Sequence, residues 1–227
     1  MGQRISNEES VLHGITELFP TIDKECCSLL NGHECGLINI KTQFHDRVTQ
    51  ETGRQKISEE LILAWRLKTL LEQKRGAIRW EHRYPAQRKR CDLVIPCSPQ
   101  HSLWVELKFA WKAWFECFNG PVHSNPLYFP YLTGKGKSHS LRHDFDKLMA
   151  APVPAADCKA VCLVGFDRED APMHPDVAAV VEQVRRQAPW KQTTELSWRD
   201  RRCPEFRINV FTWLLSPNLN SDRDHGF

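Results

Sequence analysis

The chain has 227 residues, with 31 Lys and Arg against 28 Asp and Glu, and a formal charge of +3. That length suits one well-buried domain with an appendage rather than two full domains, and the small net charge excludes a polycation. No run of eighteen apolar residues is present, so a membrane-spanning helix is not expected.

Residues 1–55 read as a mostly helical N-terminal extension. Val11, Leu12, Ile15, Leu18 and Phe19 fall at helical spacing, with Phe19-Pro20 as the expected stop. Cys26, Leu29 and Leu30 form a second apolar group that ends at Asn31-Gly32, and residues 36–56 are not assigned to an element. Ser58 has the character of an N-cap, with Glu59 and Glu60 in the favoured first turn. Leu61, Ala64, Trp65, Leu67, Leu70 and Leu71 then make the stripe of an amphipathic helix to about Gln73, leaving Arg66, Lys68 and Glu72 for solvent.

Three extended segments follow, over 78–84, 91–95 and 102–109, with turns short enough for antiparallel hairpins. Residues 120–138, rich in Gly, Pro, Ser and aromatics, read as a long loop. A helix over 141–149, a buried strand over 159–166, a helix over 177–187 and a strand over 207–215 complete the pattern. The fold class is therefore α/β (α+β), a mixed sheet flanked by helices, spanning 56–217, with a flexible tail over 218–227.

Nine cysteines without an apolar leader segment suggest reduced thiols and a cytoplasmic setting. Cys162, inside an apolar run, reads as a small buried hydrophobe, and Cys91 and Cys97 read as structural. Cys26, Cys27, His33 and Cys35 have ligand chemistry but lack paired C-x-x-C spacing, so they read as thiols rather than a zinc site.

The chemistry concentrates on the second and third strands. Alternation sends Glu106 and Lys108 to one face, with Val105, Leu107 and Phe109 on the other. Asp92 opens the neighbouring strand within reach of both. Two carboxylates on adjacent strands suit Mg2+, which takes oxygen ligands and completes its shell with water and phosphate; Mn2+ would substitute. A lysine beside them can hold an attacking water or offset charge on a phosphoryl transition state. Upstream, Lys74, Arg75, Arg79, Arg83, Arg88, Lys89 and Arg90 face only Glu81 and Asp92 between positions 74 and 92, a local basic surface suited to a polyanion.

Asp92-Leu93-Val94-Ile95, ten residues, then Glu106-Leu107-Lys108 resembles the PD-(D/E)XK nuclease superfamily, the restriction-endonuclease-like fold. Cys91 replaces the proline expected before the aspartate. Glu81-His82-Arg83-Tyr84-Pro85 is similar to the first core strand of that group, and Asp144-Phe145-Asp146-Lys147-Leu148 to the helix after its catalytic strand. The resemblance implies a helix, a three-strand meander, a helix and a further strand, and Mg2+-dependent hydrolysis of DNA or sometimes RNA. It casts Asp92 and Glu106 as metal ligands and Lys108 as the catalytic lysine. It also implies an acid from the helix before the meander, for which Glu60 is the choice and Glu59 the alternative.

Arg88, Lys89, Arg90, Lys135, Lys137 and Arg142 are the residues expected to guide a nucleic-acid backbone. Trp104, Trp111, Trp114 and Phe115 read as core or interface rather than base-stacking groups. Two other readings stand beside the nuclease. One is an inactive nuclease-like module that binds nucleic acid or regulates a complex. The other is a homodimer built on the helical leader.

Overall fold

The computed structural model describes residues 6–28, 36–37, 40–115, 122–126, 128–134, 139–200 and 205–215. In chain order the helices α1 (Asn7–Thr16), α2 (Phe19–Ser28), α3 (Ile40–Thr52) and α4 (Glu59–Arg75) precede strands β1 (Arg79–Arg83), β2 (Arg90–Pro96), β3 (Ser102–Trp111), β4 (Ala113–Phe115) and β5 (Val122–Ser124). Helices α5 (Tyr128–Thr133) and α6 (Leu141–Ala150), strand β6 (Cys158–Arg168), helix α7 (His174–Arg185) and strands β7 (Lys191–Arg199) and β8 (Phe206–Leu215) follow.

Six strands form one mixed sheet in the order β1-β2-β3-β6-β8-β7. β1, β2 and β3 are an antiparallel meander, β6 runs parallel to β3, and β8 is antiparallel to both β6 and β7. The central strands β3, β6 and β8 are apolar almost throughout because helices cover both faces. One face packs on α1 to α4 through residues such as Leu12, Phe44, Leu63, Val105 and Phe109. The other packs on α5, α6 and α7 through Leu132, Phe145, Val181, Trp104 and Val161.

The leader therefore shares a core with α4 and the sheet. Pro20 lies in the first turn of α2 instead of ending a helix, a position where its missing N–H is not needed. α3 buries Ile40, Phe44 and Val48 on α4. Burial of α4 is broader than one stripe: all five residues from Leu61 to Trp65 are interior. Arg66 does not face solvent as expected, because α2 covers that flank and the Glu25 carboxylate takes the guanidinium at 2.6 and 2.9 Å.

Ser58 caps α4 through the Leu61 N–H, and Gly76, at φ 82°, closes its C-terminal end. The stretch read as one long loop contains β5 and α5. β7 went unrecognised in the sequence. Its pattern Lys-Gln-Thr-Thr-Glu-Leu-Ser-Trp-Arg is that of an edge strand, rich in polar and charged residues and nowhere fully buried, which protects the edge from pairing with another chain. No described helix is long and apolar enough to cross a membrane.

Candidate functional site

The β2–β3 ladder runs from Pro96↔Ser102 to Leu93↔Val105 and then parts. A continued ladder would put Cys91 opposite Leu107. Instead the Leu107 N–H donates to the Asp92 carboxylate at 2.7 Å. On the other side of β2, pairing with β1 skips Glu81 and Asp92 between Trp80↔Leu93 and His82↔Cys91. Glu81 there takes φ 49°, an uncommon left-handed conformation for a side chain of its size. Asp92 is thus the point where β2 parts from β3 while staying paired with β1 on either side, and the fork between β2 and β3 is the site.

Acids from both faces of the sheet reach into this fork. Glu60, in the first turn of α4, brings Oε1 to 3.7 Å from the Lys108 ammonium. Glu59 instead turns toward Lys41 of α3, at 4.0 Å. From the opposite face, Asp144 of α6 brings Oδ2 to 3.9 Å from Lys108. Lys108 and Glu106 are both buried. The Glu106 carboxylate is held by the Lys147 ammonium at 2.7 Å and accepts a short hydrogen bond from the Tyr84 hydroxyl.

Like charge and burial set the electrostatics. Burial pushes the Glu106 carboxyl up to about 7, with Lys147 pulling against it and Asp144 adding to it. Burial also lifts Asp144 to about 7, opposed by Lys108 and reinforced by Asp92. The Asp92 carboxyl is raised well above the ordinary range by burial and by Glu106, against the Leu107 N–H and Lys147. For Lys147, burial pulls downward most, but the Glu106 charge and hydrogen bond together with Asp92 and Asp144 outweigh it, so the ammonium is held more firmly than usual. Four carboxyl groups, those of Asp92, Glu106, Asp144 and Glu60, share two ammonium groups, and Asp144 Oδ2 is buried with no hydrogen-bond partner. This excess of oxygen donors, with one orphaned, fits a hard divalent cation. The donors are spread out: among the described residues, ligand atoms of three such side chains lie within 4.8 Å of one another only at Glu8, Cys97 and His101.

The structure thus brings Asp92, Glu106, Lys108 and Glu60 together. Sequence reading missed Tyr84, Asp144 and Lys147 as members of the site. Asp144 could have been found, since it is a charged residue on the face that buries Leu141, Phe145 and Leu148. Tyr84 stacks on Trp104 with centroids 5.3 Å apart. Trp104 itself is core, and its indole N–H donates to Asp157 at 2.7 Å. Cys91 is buried, with its thiol on the Leu93 and Val105 carbonyls.

Of the basic residues expected near substrate, Arg88 and Lys89 are exposed on the β1–β2 turn. Arg90, also exposed, leans on Glu81 at 3.8 Å. Arg142 is engaged by Asp146 at 3.0 Å. His143 lies close enough to Lys89 that, after burial, the positive charges of Lys89, Lys147 and His139 lower its affinity for a proton. Lys89, His139 and His143 therefore lie close together beside the fork, with Lys89 as the lasting positive charge among them. Lys135 and Lys137, the side chains of Cys27, Trp114 and Phe115, residues His33 and Cys35, and the tail lie outside the described residues.

No protein-family model, curated protein or solved structure matches the chain.

Proposed function

We propose that the chain is a metal-dependent nuclease of the PD-(D/E)XK kind, hydrolysing phosphodiester bonds, with DNA as the first substrate to test. One observation carries the reading: Asp92, Glu106, Lys108, Glu60 and Asp144 meet in one fork of the sheet. The order helix, three-strand meander, helix, strand, formed here by α4, β1 to β3, α6 and β6, is the order that the resemblance implies.

Asp92 and Glu106 would hold Mg2+ or Mn2+, with Glu60 and the orphaned oxygen of Asp144 as further donors. The bound cation would supply Lewis acidity, polarising a phosphoryl oxygen and lowering the pKa of a coordinated water. The chain's own residues do the rest. The Leu107 N–H keeps the Asp92 carboxylate aimed into the fork. Lys108, buried between Glu60 and Asp144, is placed to hold a water or to offset charge gathering on the phosphate. Lys147 and Tyr84 keep Glu106 oriented until it is needed as a ligand. Arg88 and Lys89 offer phosphate contacts that position without reading sequence.

The test is cleavage of linear, circular and single-stranded DNA, and of RNA, with Mg2+ or Mn2+, by the wild-type chain and by Asp92→Ala and Lys108→Ala. Each substitution is expected to lower the rate by about 10²-fold or more. Equal cutting by all three proteins would exclude this fork as the source of activity.

A second reading is favoured by the Glu106–Lys147 contact, which ties up a required acid. On that reading the chain is an inactive nuclease-like module that binds nucleic acid. Its signature is binding that weakens steeply with salt, with no cleavage under any metal.

A further inference from the structure

We propose that Glu8, Cys97 and His101, with Cys158 beside them, form a transition-metal site of the zinc class that ties α1 to the turn between β2 and β3. The ligand atoms of Glu8, Cys97 and His101 lie within 4.8 Å of one another. Carboxylate, thiolate and imidazole are the donors zinc uses, and a thiolate selects against magnesium.

The local fold builds this triad. Pro96↔Ser102 is the last pair of the β2–β3 ladder, and Cys97 and His101 extend it by one, with the Cys97 N–H donating to the His101 carbonyl at 3.1 Å. Residues opposed in this way project from the same face. Ser98, inside the turn, sets its Oγ 2.7 Å from His101 Nδ1. That contact fixes the ring and leaves Nε2 directed at the Glu8 carboxylate, with which it makes a short contact. A partner on the far nitrogen is the usual device for orienting a ligating histidine.

Glu8 is held from its own side by the Ser6–Glu9 capping box at the start of α1. Cys158 opens β6 opposite Leu103, the residue that pairs with Ile95. It therefore shares the sheet face of Cys97, close enough for its thiol to feel Glu8 and Cys97. A tetrahedral zinc ion needs ligand atoms about 3.5 Å apart, which side-chain shifts alone would reach from the present spacing.

The site is separate from the nuclease fork. Asp92 stands near the start of β2 and Cys97 just past its end, about 17 Å away for an extended strand. Three protein donors are in place, and Cys158, on the same sheet face but outside their 4.8 Å cluster, is the residue that would close the shell in the form of structural zinc. Its effect would be to fasten the leader, which otherwise reaches the sheet's polar groups through pairs such as Glu9–Lys191 at 2.6 Å.

The experiment uses the full chain, stripped with chelator and titrated with Co2+ and then Zn2+. One equivalent of Co2+ should give a thiolate-to-cobalt charge-transfer band that Zn2+ abolishes. Cys97→Ser and His101→Gln should each weaken Co2+ binding at least about tenfold, and Ser98→Ala by about tenfold through loss of ring orientation. Glu8→Gln, which keeps the volume, serves as the reporter if Cys97→Ser does not fold. Asp92→Asn and Glu106→Gln should leave the band unchanged, whatever they do to nuclease activity. Absence of the band at one equivalent, or its survival unaltered in Cys97→Ser or in Glu8→Gln, would overturn the proposal.

Discussion

The Lys147 ammonium of α6 meets the Glu106 carboxylate of β3 at 2.7 Å, with the Tyr84 ring 5.6 Å beneath the ammonium. Both partners are mostly shielded, so the contact joins two charges that have lost much of their water. A pair of this kind is strongly missed when one member goes, because the other stays buried and uncompensated. The helix behind the meander is thus part of the site: it delivers both the cation that holds Glu106 and the acid, Asp144, that faces Lys108.

Lys147→Met tests this directly. In EDTA at pH 8 it is expected to destabilise the protein by about 3 kcal/mol, the scale for breaking a buried pair. Divalent cation should recover part of that loss, since Mg2+ can take over the neutralisation of Glu106. Denaturant unfolding of both proteins with and without Mg2+ measures it. An equal loss in EDTA and in Mg2+ would mean that Lys147 does not stand in for a cation.

The raised acids give a stability profile with a definite sign. Glu106 and Asp144 titrate near 7 when folded, against ordinary values of 4.5 and 3.8. Below about pH 3 the acids are protonated whether the chain is folded or not, and nothing is lost. As pH rises from there to about 7, the unfolded chain releases protons that the folded chain retains, so stability falls; above 7 the penalty is complete. The metal-free protein should therefore weaken across that window, and Asp144→Asn should flatten the slope. Mg2+ should raise the melting temperature more at pH 8 than at pH 6, because protons compete for the same oxygens at lower pH. Unfolding by denaturant over pH 5 to 8 reads the slope. A steeper slope in Asp144→Asn than in wild type would contradict it.

The sheet's interior was legible because β3, β6 and β8 carry apolar runs that only burial on both faces explains. Asp92, Glu106 and Lys108 were legible for a related reason, since charged residues inside such runs stand out, and alternation fixes which face they share. Tyr84 and Lys147 were not, because a tyrosine at a strand end and a lysine on a helix are ordinary until their position relative to Glu106 is known. β7 was missed because an edge strand has little need of apolar residues, and α3 because its buried stripe has only three apolar residues, Ile40, Phe44 and Val48, in an otherwise polar stretch. The fork itself is a departure from regular pairing at Asp92, which no periodicity encodes.

Tyr84→Phe removes the hydroxyl that donates to Glu106 while keeping the stack on Trp104. The hydrogen bond favours the ionised carboxylate, so its loss raises the Glu106 pKa further. Stability should drop by about 1 to 2 kcal/mol. If cleavage requires ionised Glu106, the acid limb of the pH–rate profile should move to higher pH. An unmoved limb with the expected loss of stability would give Tyr84 a packing role only.

Ala86 takes φ 56° in the turn where the Gln87 N–H donates to the Tyr84 carbonyl at 3.2 Å. Pro85 precedes it, and proline followed by a positive φ is the pattern of a type II turn, which prefers Gly or Asn at the third position. Alanine there carries a left-handed penalty of about 1 kcal/mol. Glycine relieves it but frees the unfolded chain, whereas asparagine tolerates the conformation with less entropy to lose. Ala86→Asn should therefore stabilise the protein by up to about 1 kcal/mol, and Ala86→Gly by less. Because either residue fits the same turn backbone and leaves Tyr84, Arg88 and Lys89 in place, neither change should alter the rate at saturating substrate. Melting temperatures of the two variants beside wild type decide the first point, and a lower value for Ala86→Asn would show that the turn is not strained at this residue.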